Sequence, residues 1–425
     1  MRLLCWNINS LPPTVSNAQL KYGSWKGFFD EHALDILCLQ EAKVPYDKLT
    51  KELCCVEGFQ SFWACSSGKR GYSGVTTYCS TTWAPISCHL DTLKEVKEME
   101  GADTDDHNVG DDDGQQPKTS EPTTTSSSPF AGEGRIVETD FGPRAFVLIN
   151  VYIPNAGERP DRPRLATKLK FLKSLKAHCE TLAAQGRRVL LVGDFNVCAD
   201  ERDVHPRIGL ENAYSEEERT LFLSFLIDHG GIFVDTWRHL HLDRSTEEEA
   251  AAGGGGGDAS NISHPGTTST PAGTGVYTVW DEKTSARAFN EGVRIDFILA
   301  TPNLLPFIKT CEILGQDVLP PKWSDHAGIL VEIEENAEID NFENVGEKKI
   351  GETEGAERYF EIFAAPEKHP PCKEWVKLNR RFNDPSQKSI LSMFGGGGGG
   401  SKRKAEESLE KNKNEKKILE KLWQK

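Results

Sequence analysis

Seven short apolar runs restrict this chain to a fold built around covered sheets. They occupy residues 2–8, 35–40, 74–79, 144–152, 188–193, 294–300 and 327–333. Runs of this length, rich in Val, Ile and Leu with little polar alternation, read as strands buried on both faces. Such strands need apolar cover above and below, which predicts sheet packed on sheet with helices outside. Two helices are predicted. Leu165, Leu169, Leu172, Leu175, Cys179 and Leu182 recur at three- and four-residue steps, and residues 216–229 place Leu221, Phe222, Phe225 and Leu226 on one side. The expected class is α/β, two packed mixed sheets flanked by helices, with no internal repeat.

Polar residues gather where the runs stop. Asn7 and Asn9 end the first, Glu41 follows the second, Gly193-Asp194-Phe195-Asn196 closes the fifth, and Ser324-Asp325-His326 precedes the last. A packed sheet can aim four such ends into one cleft. Cleaving a phosphoester needs an activated water, a cation and a stabilised leaving oxygen. Hard oxygen donors suit Mg²⁺, and Glu41 is the natural first ligand. Asp194 and Asn196 alternate, so an extended segment would point both to one side. Adjacent Asp325 and His326 offer two directions of approach.

Formal net charge is −15, yet much of the acid falls in residues 103–113, 247–249 and 332–357, where large apolar side chains are few. Net charge therefore says little about the face carrying the strand ends. Residues 91–132, 245–275 and 334–357 cannot bury enough apolar surface to offset their ordering entropy, and are read as disordered insertions and linker. The eleven cysteines are odd in number and scattered, with no Cys-x-x-Cys pair. That argues for a reducing compartment and against a cysteine-rich zinc site. No apolar run is long enough to span a bilayer, so no membrane is expected. Residues 1–6 enter the first run without a secretory leader pattern.

Eight motifs occur in order: Trp6-Asn7-Ile8-Asn9, Leu39-Gln40-Glu41, Gly71-Tyr72-Ser73-Gly74-Val75, Glu133-Gly134-Arg135, Val151-Tyr152-Ile153-Pro154-Asn155-Ala156-Gly157, Gly193-Asp194-Phe195-Asn196-Val197, Arg294-Ile295-Asp296 and Ser324-Asp325-His326. Singly each has a plainer reading: a solvated cap for Glu41, a turn for Asp194-Phe195-Asn196, a strand aromatic for Tyr152, a structural histidine for His326. As an ordered set they resemble exonuclease III-type apurinic/apyrimidinic (AP) endonucleases, of the endonuclease/exonuclease/phosphatase superfamily.

The resemblance implies a four-layer α/β sandwich with its site at one end of the two sheets. Matched motif by motif, it implies that Glu41 binds Mg²⁺ (or Mn²⁺), assisted by Asn7, Asn9 or Asp325. Asp194 would activate or orient the attacking water and Asn196 would help hold it. His326 would contact the scissile phosphate, oriented by Asp296. Asp194, Asn196 and His326 complete the metal-side set, and Tyr152 and Asn155 would bind the phosphate or the leaving-group side.

Tyr152 stands where DNase I-type relatives have a second catalytic histidine, and with Asn155 it favours DNA as substrate. First-type AP endonucleases wall the abasic sugar with large side chains, one a tryptophan where this chain has Val293. Val279 and Ile295 are the other matched wall positions, and Trp280 and Arg294 complete the expected DNA-binding set. A smaller wall is expected to favour 3′→5′ exonuclease and 3′-end cleaning over abasic-site incision.

Gln387-Lys388-Ser389-Ile390-Leu391-Ser392-Met393-Phe394 resembles the peptide that docks on the sliding clamp PCNA, with Gln387 hydrogen-bonding and Ile390, Met393 and Phe394 in an apolar pocket. The combination most resembles the second eukaryotic type of AP endonuclease. It implies a catalytic domain over residues 1–335, interrupted at about 91–132 and 245–275, a linker over 336–386, the docking peptide 387–394 and a flexible charged tail 395–425. The expected protein is a monomeric base excision repair nuclease acting on double-stranded DNA with abasic sites or damaged or recessed 3′ ends. Lys402-Arg403-Lys404 fits part of a nuclear import signal. Two alternatives are a superfamily phosphodiesterase acting on RNA or phospholipid, and a clamp-bound scaffold with vestigial catalysis. The intact set of Glu41, Asp194, Asn196, Asp296, Asp325 and His326 speaks against the scaffold.

Overall fold

The computed structural model describes residues 1–94, 129–158, 160–241 and 275–334. The linker, the docking peptide, the tail and most of both insertions lie outside the described residues.

Two six-stranded sheets form as the chain proceeds. β1 (Arg2–Asn7), β2 (Ile36–Gln40), β3 (Phe59–Ala64) and β4 (Val75–Ser80) start the first. β5 (Ser87–Leu90), β6 (Ile136–Asp140), β7 (Val147–Tyr152), β8 (Val189–Asp194) and β9 (Val234–Asp235) belong to the second. A two-stranded ribbon, β10 (Val279–Trp280) and β11 (Gly292–Val293), precedes β12 (Asp296–Ala300), which joins the second sheet. β13 (Ile308–Ile313) and β14 (Ile329–Ile333) return to the first. The orders are β13-β14-β1-β2-β4-β3 and β5-β6-β7-β8-β12-β9. Each sheet has one parallel pair at its centre, β1 with β2 and β7 with β8.

The lack of polar alternation in the strands has its cause in the layers. Leu3, Cys5, Ile36 and Cys38 of the first sheet meet Leu148, Leu190, Val192 and Ile298 of the second in one core. The opposite faces are covered too. α1 (Leu11–Tyr22), α2 (Trp25–Glu31) and α3 (Lys51–Cys54) belong to the first sheet's half, where Phe28 stacks on Trp6 and Phe29 packs tilted or edge-on against Phe59 and Tyr78. α4 (Leu165–Ala184), α5 (Leu210–Ala213) and α6 (Glu216–Leu223) accompany the second, where Phe171, Leu175 and Phe222 pack on Ile149, Leu191 and Phe297. Polar contacts cross the inter-sheet core where Asn150 of the second sheet meets Gln40, Thr76 and Thr77 of the first. Gln40 Nε2 donates to Asn150 Oδ1 at 2.6 Å, while Asn150 Nδ2 donates to Thr76 O and Thr77 Oγ1. A buried amide pair of this kind ties the two sheets in one register just beneath Glu41.

Three expectations need correction. The helix expected over 216–229 stops at Leu223, because Phe225 O accepts from the backbone of Ile232 and Phe233 and its ring enters the core; only Ile227–His229 coils again, as a 3₁₀ turn. The strand expected from 144 starts at Val147, since Gly142, at φ 109°, turns the chain and Phe141 N donates to Phe146 O. The first insertion does not begin at 91. Asp91 is buried and accepts from the backbone N–H groups of Gly134, Arg135 and Ile136 at 2.7–2.9 Å, and Phe130 packs on Phe171. β3, β5, β6, β9, β10, β11, β13, α1, α2, α3 and α5 were not expected; α1 hides behind Pro12 and Pro13, which fall in its first turn, where no N–H is needed.

Candidate active site

One end of the sandwich collects the strand ends that carry chemistry. Asn7 ends β1, Glu41 follows β2, Tyr152 ends β7, Asp194 ends β8, and Asp296 begins β12. Asp296 and Asp194 are directly paired across β8 and β12. Ser324-Asp325-His326 leads toward β14, and Ser324 Oγ donates to Asn7 O at 2.7 Å, which locks that loop onto β1. Gly193 is required where β7 and β8 run side by side, since a Cβ there would lie 2.0 Å from Val151 O.

Asp194 is buried and heavily bonded. Its Oδ2 accepts from Asn7 Nδ2 at 2.8 Å and its Oδ1 from the Asn196 backbone N–H at 2.7 Å. Asn196 does not reach the site along an extended segment, as the alternation suggested. It sits at φ 51°, and this left-handed turn lets Nδ2 donate to Ile153 O at 2.9 Å while Oδ1 accepts from Asn155 Nδ2 at 3.1 Å. His326 Nδ1 lies 2.9 Å from Asp296 Oδ2.

Burial and neighbouring charge set the protonation states. Burial alone would keep His326 neutral, but the charge and hydrogen bond of Asp296, with Asp194 and Asp325 beyond, raise it to about 10. Burial first, then the facing Asp296, lifts Asp194 to about 7. Glu41 goes the other way. Burial pushes it up, yet Lys43 Nζ at 2.7 Å and Asn7 Nδ2 at 3.1 Å hold it below its ordinary value. The Tyr152 hydroxyl, bonded to Glu41, stays protonated well above its usual range through burial and the nearby carboxylates.

Ligand atoms of Asp194, Asp296 and His326 all lie within 4.8 Å of one another, and Asp296 Oδ1 is buried with no hydrogen-bond partner among the described residues. A leftover carboxylate oxygen beside other hard donors fits a divalent cation. The structure does not gather every expected metal residue there. Asn9 Oδ1 instead takes the Lys43 ammonium at 2.5 Å, so Lys43 stands between Asn9 and Glu41. Asp325 is half-buried, with Ser324 Oγ 3.4 Å from its Oδ1 and the Arg287 charge near it.

The expected DNA-facing residues divide. Val279 and Val293 pair across β10 and β11 and, with Ile295, Cys198 and Val204, form an apolar wall whose Val279 bridges to His326. Trp280 lies beneath Arg287, its Nε1 donating to Asn290 Oδ1, and exposed Asn155 is held by Asn196. Arg294 is misassigned by the motif. It is 1% exposed, with Nε 2.6 Å from Asp203 Oδ1 and Nη2 2.6 Å from Asp235 Oδ2, so no phosphate can reach it. Gln387, Ile390, Met393 and Phe394 lie outside the described residues.

Lys43 was missed by the sequence reading although it sits two residues past Glu41. Arg135 lies in a motif but had no role assigned; its guanidinium is within 4.8–5.1 Å of the Tyr152 and Tyr72 rings, and Nη2 donates to Tyr72 Oη at 2.7 Å.

Residues 4–326 match the Endonuclease/Exonuclease/phosphatase family. Among curated proteins, the chain is 28% identical over 353 residues to the Schizosaccharomyces pombe protein named DNA-(apurinic or apyrimidinic site) endonuclease 2, covering 80% of this chain and 59% of that protein. It is 28% identical over 351 residues to the human protein of that name, covering 75% and 59%. The chain therefore spans about three fifths of the length of these relatives. The crystal structure of the Xenopus laevis APE2 catalytic domain superposes with a TM-score of 0.57 at 26% identity, covering 79% of this chain and 92% of that one. An AP endonuclease from Archaeoglobus fulgidus, at 20% identity and a TM-score of 0.52, shares the fold, covering 78% and 99%.

Replacing Arg294 with Met removes the closest cation from Asp235 and leaves Arg238 as the one cation beside both buried carboxylates among the described residues. It should cost about 3–5 kcal/mol of stability, read as a lowered urea midpoint. A stable variant whose only defect is weaker DNA binding would contradict this placement.

Proposed function

The chain belongs to the endonuclease/exonuclease/phosphatase family, and from that membership we propose that it is a Mg²⁺-dependent DNA repair nuclease. Its proposed work is phosphodiester hydrolysis at abasic sites and 3′ ends, with the 3′-end activities dominant. The buried group of Asp194, Asp296 and His326, facing Asn7, Glu41 and Tyr152, carries the proposal. The likeness to proteins named for apurinic or apyrimidinic sites supports DNA as the substrate.

The family is divalent-metal dependent, and the residues that would hold the cation are Asp194 and Asp296 with Glu41 beside them. When bound, the cation neutralises charge on the phosphate being attacked. The side chains share the rest. Asp194, fixed by Asn7 and Asn196, orients the attacking water and takes its proton. His326, kept protonated by Asp296, donates to a phosphate oxygen and stabilises the charge that develops there. Tyr152, still protonated beside Glu41, offers a second donor.

The wall formed by Val279, Val293 and Ile295 supports the ranking of activities, because small side chains grip an extruded sugar loosely and leave room for a terminal nucleotide. Recruitment to the sliding clamp and residence in the nucleus rest on residues 387–394 and 402–404 of the sequence.

On a 3′-recessed duplex, chelation should abolish nucleotide release and added Mg²⁺ restore it. Asp194→Asn should lower kcat by about 1,000-fold; undiminished activity would overturn the mechanism. Val293→Trp should shift the ratio of abasic incision to 3′ release upward by about 10-fold, and an unchanged ratio would remove the wall as the determinant. Met393→Ala with Phe394→Ala should end stimulation by the clamp. Stimulation that survives the pair would refute docking through this peptide.

A further inference from the structure

A lysine with no part in the scheme above lies fully buried behind it. Lys168 sits on α4, among Leu165, Leu172 and Leu175, on the face that packs against the second sheet. Its side chain is 0% exposed. Burying an ammonium is costly unless each of its protons is met. Its Nζ donates to Asn196 O at 2.5 Å and to Glu218 Oε1 at 2.7 Å, and stands 5.2 Å from the centroid of the Tyr214 ring. Glu218 is fixed in turn. It is the third residue of α6, its Oε2 accepts from the Ser215 N–H and hydroxyl in a capping box, and Arg162 Nη1 lies 2.5 Å from the same oxygen. A chain of bonds thus runs from the α6 N-terminus through Lys168 to the backbone of Asn196.

The point of attachment matters. Asn196 lies in the left-handed region, which asparagine reaches more readily than most non-glycine residues and which the bonds around it fix in place. That conformation brings its backbone N–H to Asp194 Oδ1 and its side-chain amide to Ile153 O. We propose that Lys168, seated on Glu218, is a positioning residue that holds the Asn196 carbonyl and thereby sets the orientation of the Asp194–Asn196 pair toward the water. The inference rests on the nuclease reading for its kinetic consequence, but its structural content stands apart from the substrate. The bond to Asn196 O meets a second proton of the buried ammonium, and it lands on the loop that leaves β8, beside the N–H that Asp194 accepts.

Two variants of the full chain separate the roles: Lys168→Met, and Lys168→Met combined with Glu218→Gln. Each is read for kcat and KM on a 3′-recessed duplex with Mg²⁺, for Tm, and for amide hydrogen exchange across residues 194–198 by mass spectrometry. Lys168→Met should lower Tm, because it leaves the Glu218 carboxylate short of a partner. The double variant should regain much of that loss. In both, kcat should fall by about 10- to 100-fold with KM changed less than about twofold, and exchange at 194–198 should rise. Recovery of kcat together with Tm in the double variant would show that Lys168 merely neutralises Glu218, and the proposal would be wrong. Unaltered exchange at 194–198 would also overturn it. A wild-type protein that cuts no DNA would defeat the nuclease reading, and the exchange measurement would still decide the role of Lys168.

Discussion

Two carboxylates are paired face to face on neighbouring strands, and the site end of this molecule is organised around keeping them there. Asp194 and Asp296 are direct partners in the β8–β12 ladder, each about 1% exposed. Like charges in that relation repel, and burial deprives them of water. Their neighbours offset the strain by specific means. His326 bonds one, and Asn7 and the Asn196 backbone bond the other. The raised proton affinities of Asp194 and His326 express this crowding, and a site with spare negative charge and an unpartnered carboxylate oxygen is suited to a cation and an anionic phosphate.

The surrounding fold supplies rigidity at some local cost. Asn9, Glu41, Lys43 and Asn196 all adopt positive φ just past the ends of β1, β2 and β8. Such conformations are uncommon outside glycine, and their concentration here marks a place where the backbone follows the site rather than its own preference. The sheets can enforce it because they are covered on both faces and tied across the core by Gln40 and Asn150. The loops from which the site is assembled are held in the same way, Ser324 to Asn7 and Thr278 Oγ1 to the backbone of Ile295 and Asp296.

Much of this was legible in the residues. An apolar run ending in Asp or Glu is a local pattern, so seven of the strands and the site residues at their ends could be read directly. The amphipathic period of α4 was equally plain. What could not be read were relations between distant segments. Arg294 lies 91 residues from Asp203 and 59 from Asp235, and nothing in its motif says that it turns inward. Lys168 left no trace, because the apolar steps run from Leu165 to Leu169 and pass over it, whereas the fold buries Lys168 and leaves Leu169 half-buried. Asp91 was assigned to a low-complexity stretch because its acceptor role is defined by Gly134, Arg135 and Ile136, on the far side of that stretch.

By itself, the sequence determined the class of the fold and which polar groups stand at the strand ends, because burial on both faces and polar strand ends are properties of short segments. Only the tertiary structure decided which groups meet. It set Asp194 against Asp296, gave His326 its proton through Asp296, drew Lys43 between Glu41 and Asn9, and withdrew Arg294 into the interior. Those outcomes depend on how the two sheets and the helices outside them align strands far apart in the chain, where a single ångström decides between a hydrogen bond and an unpaired charge.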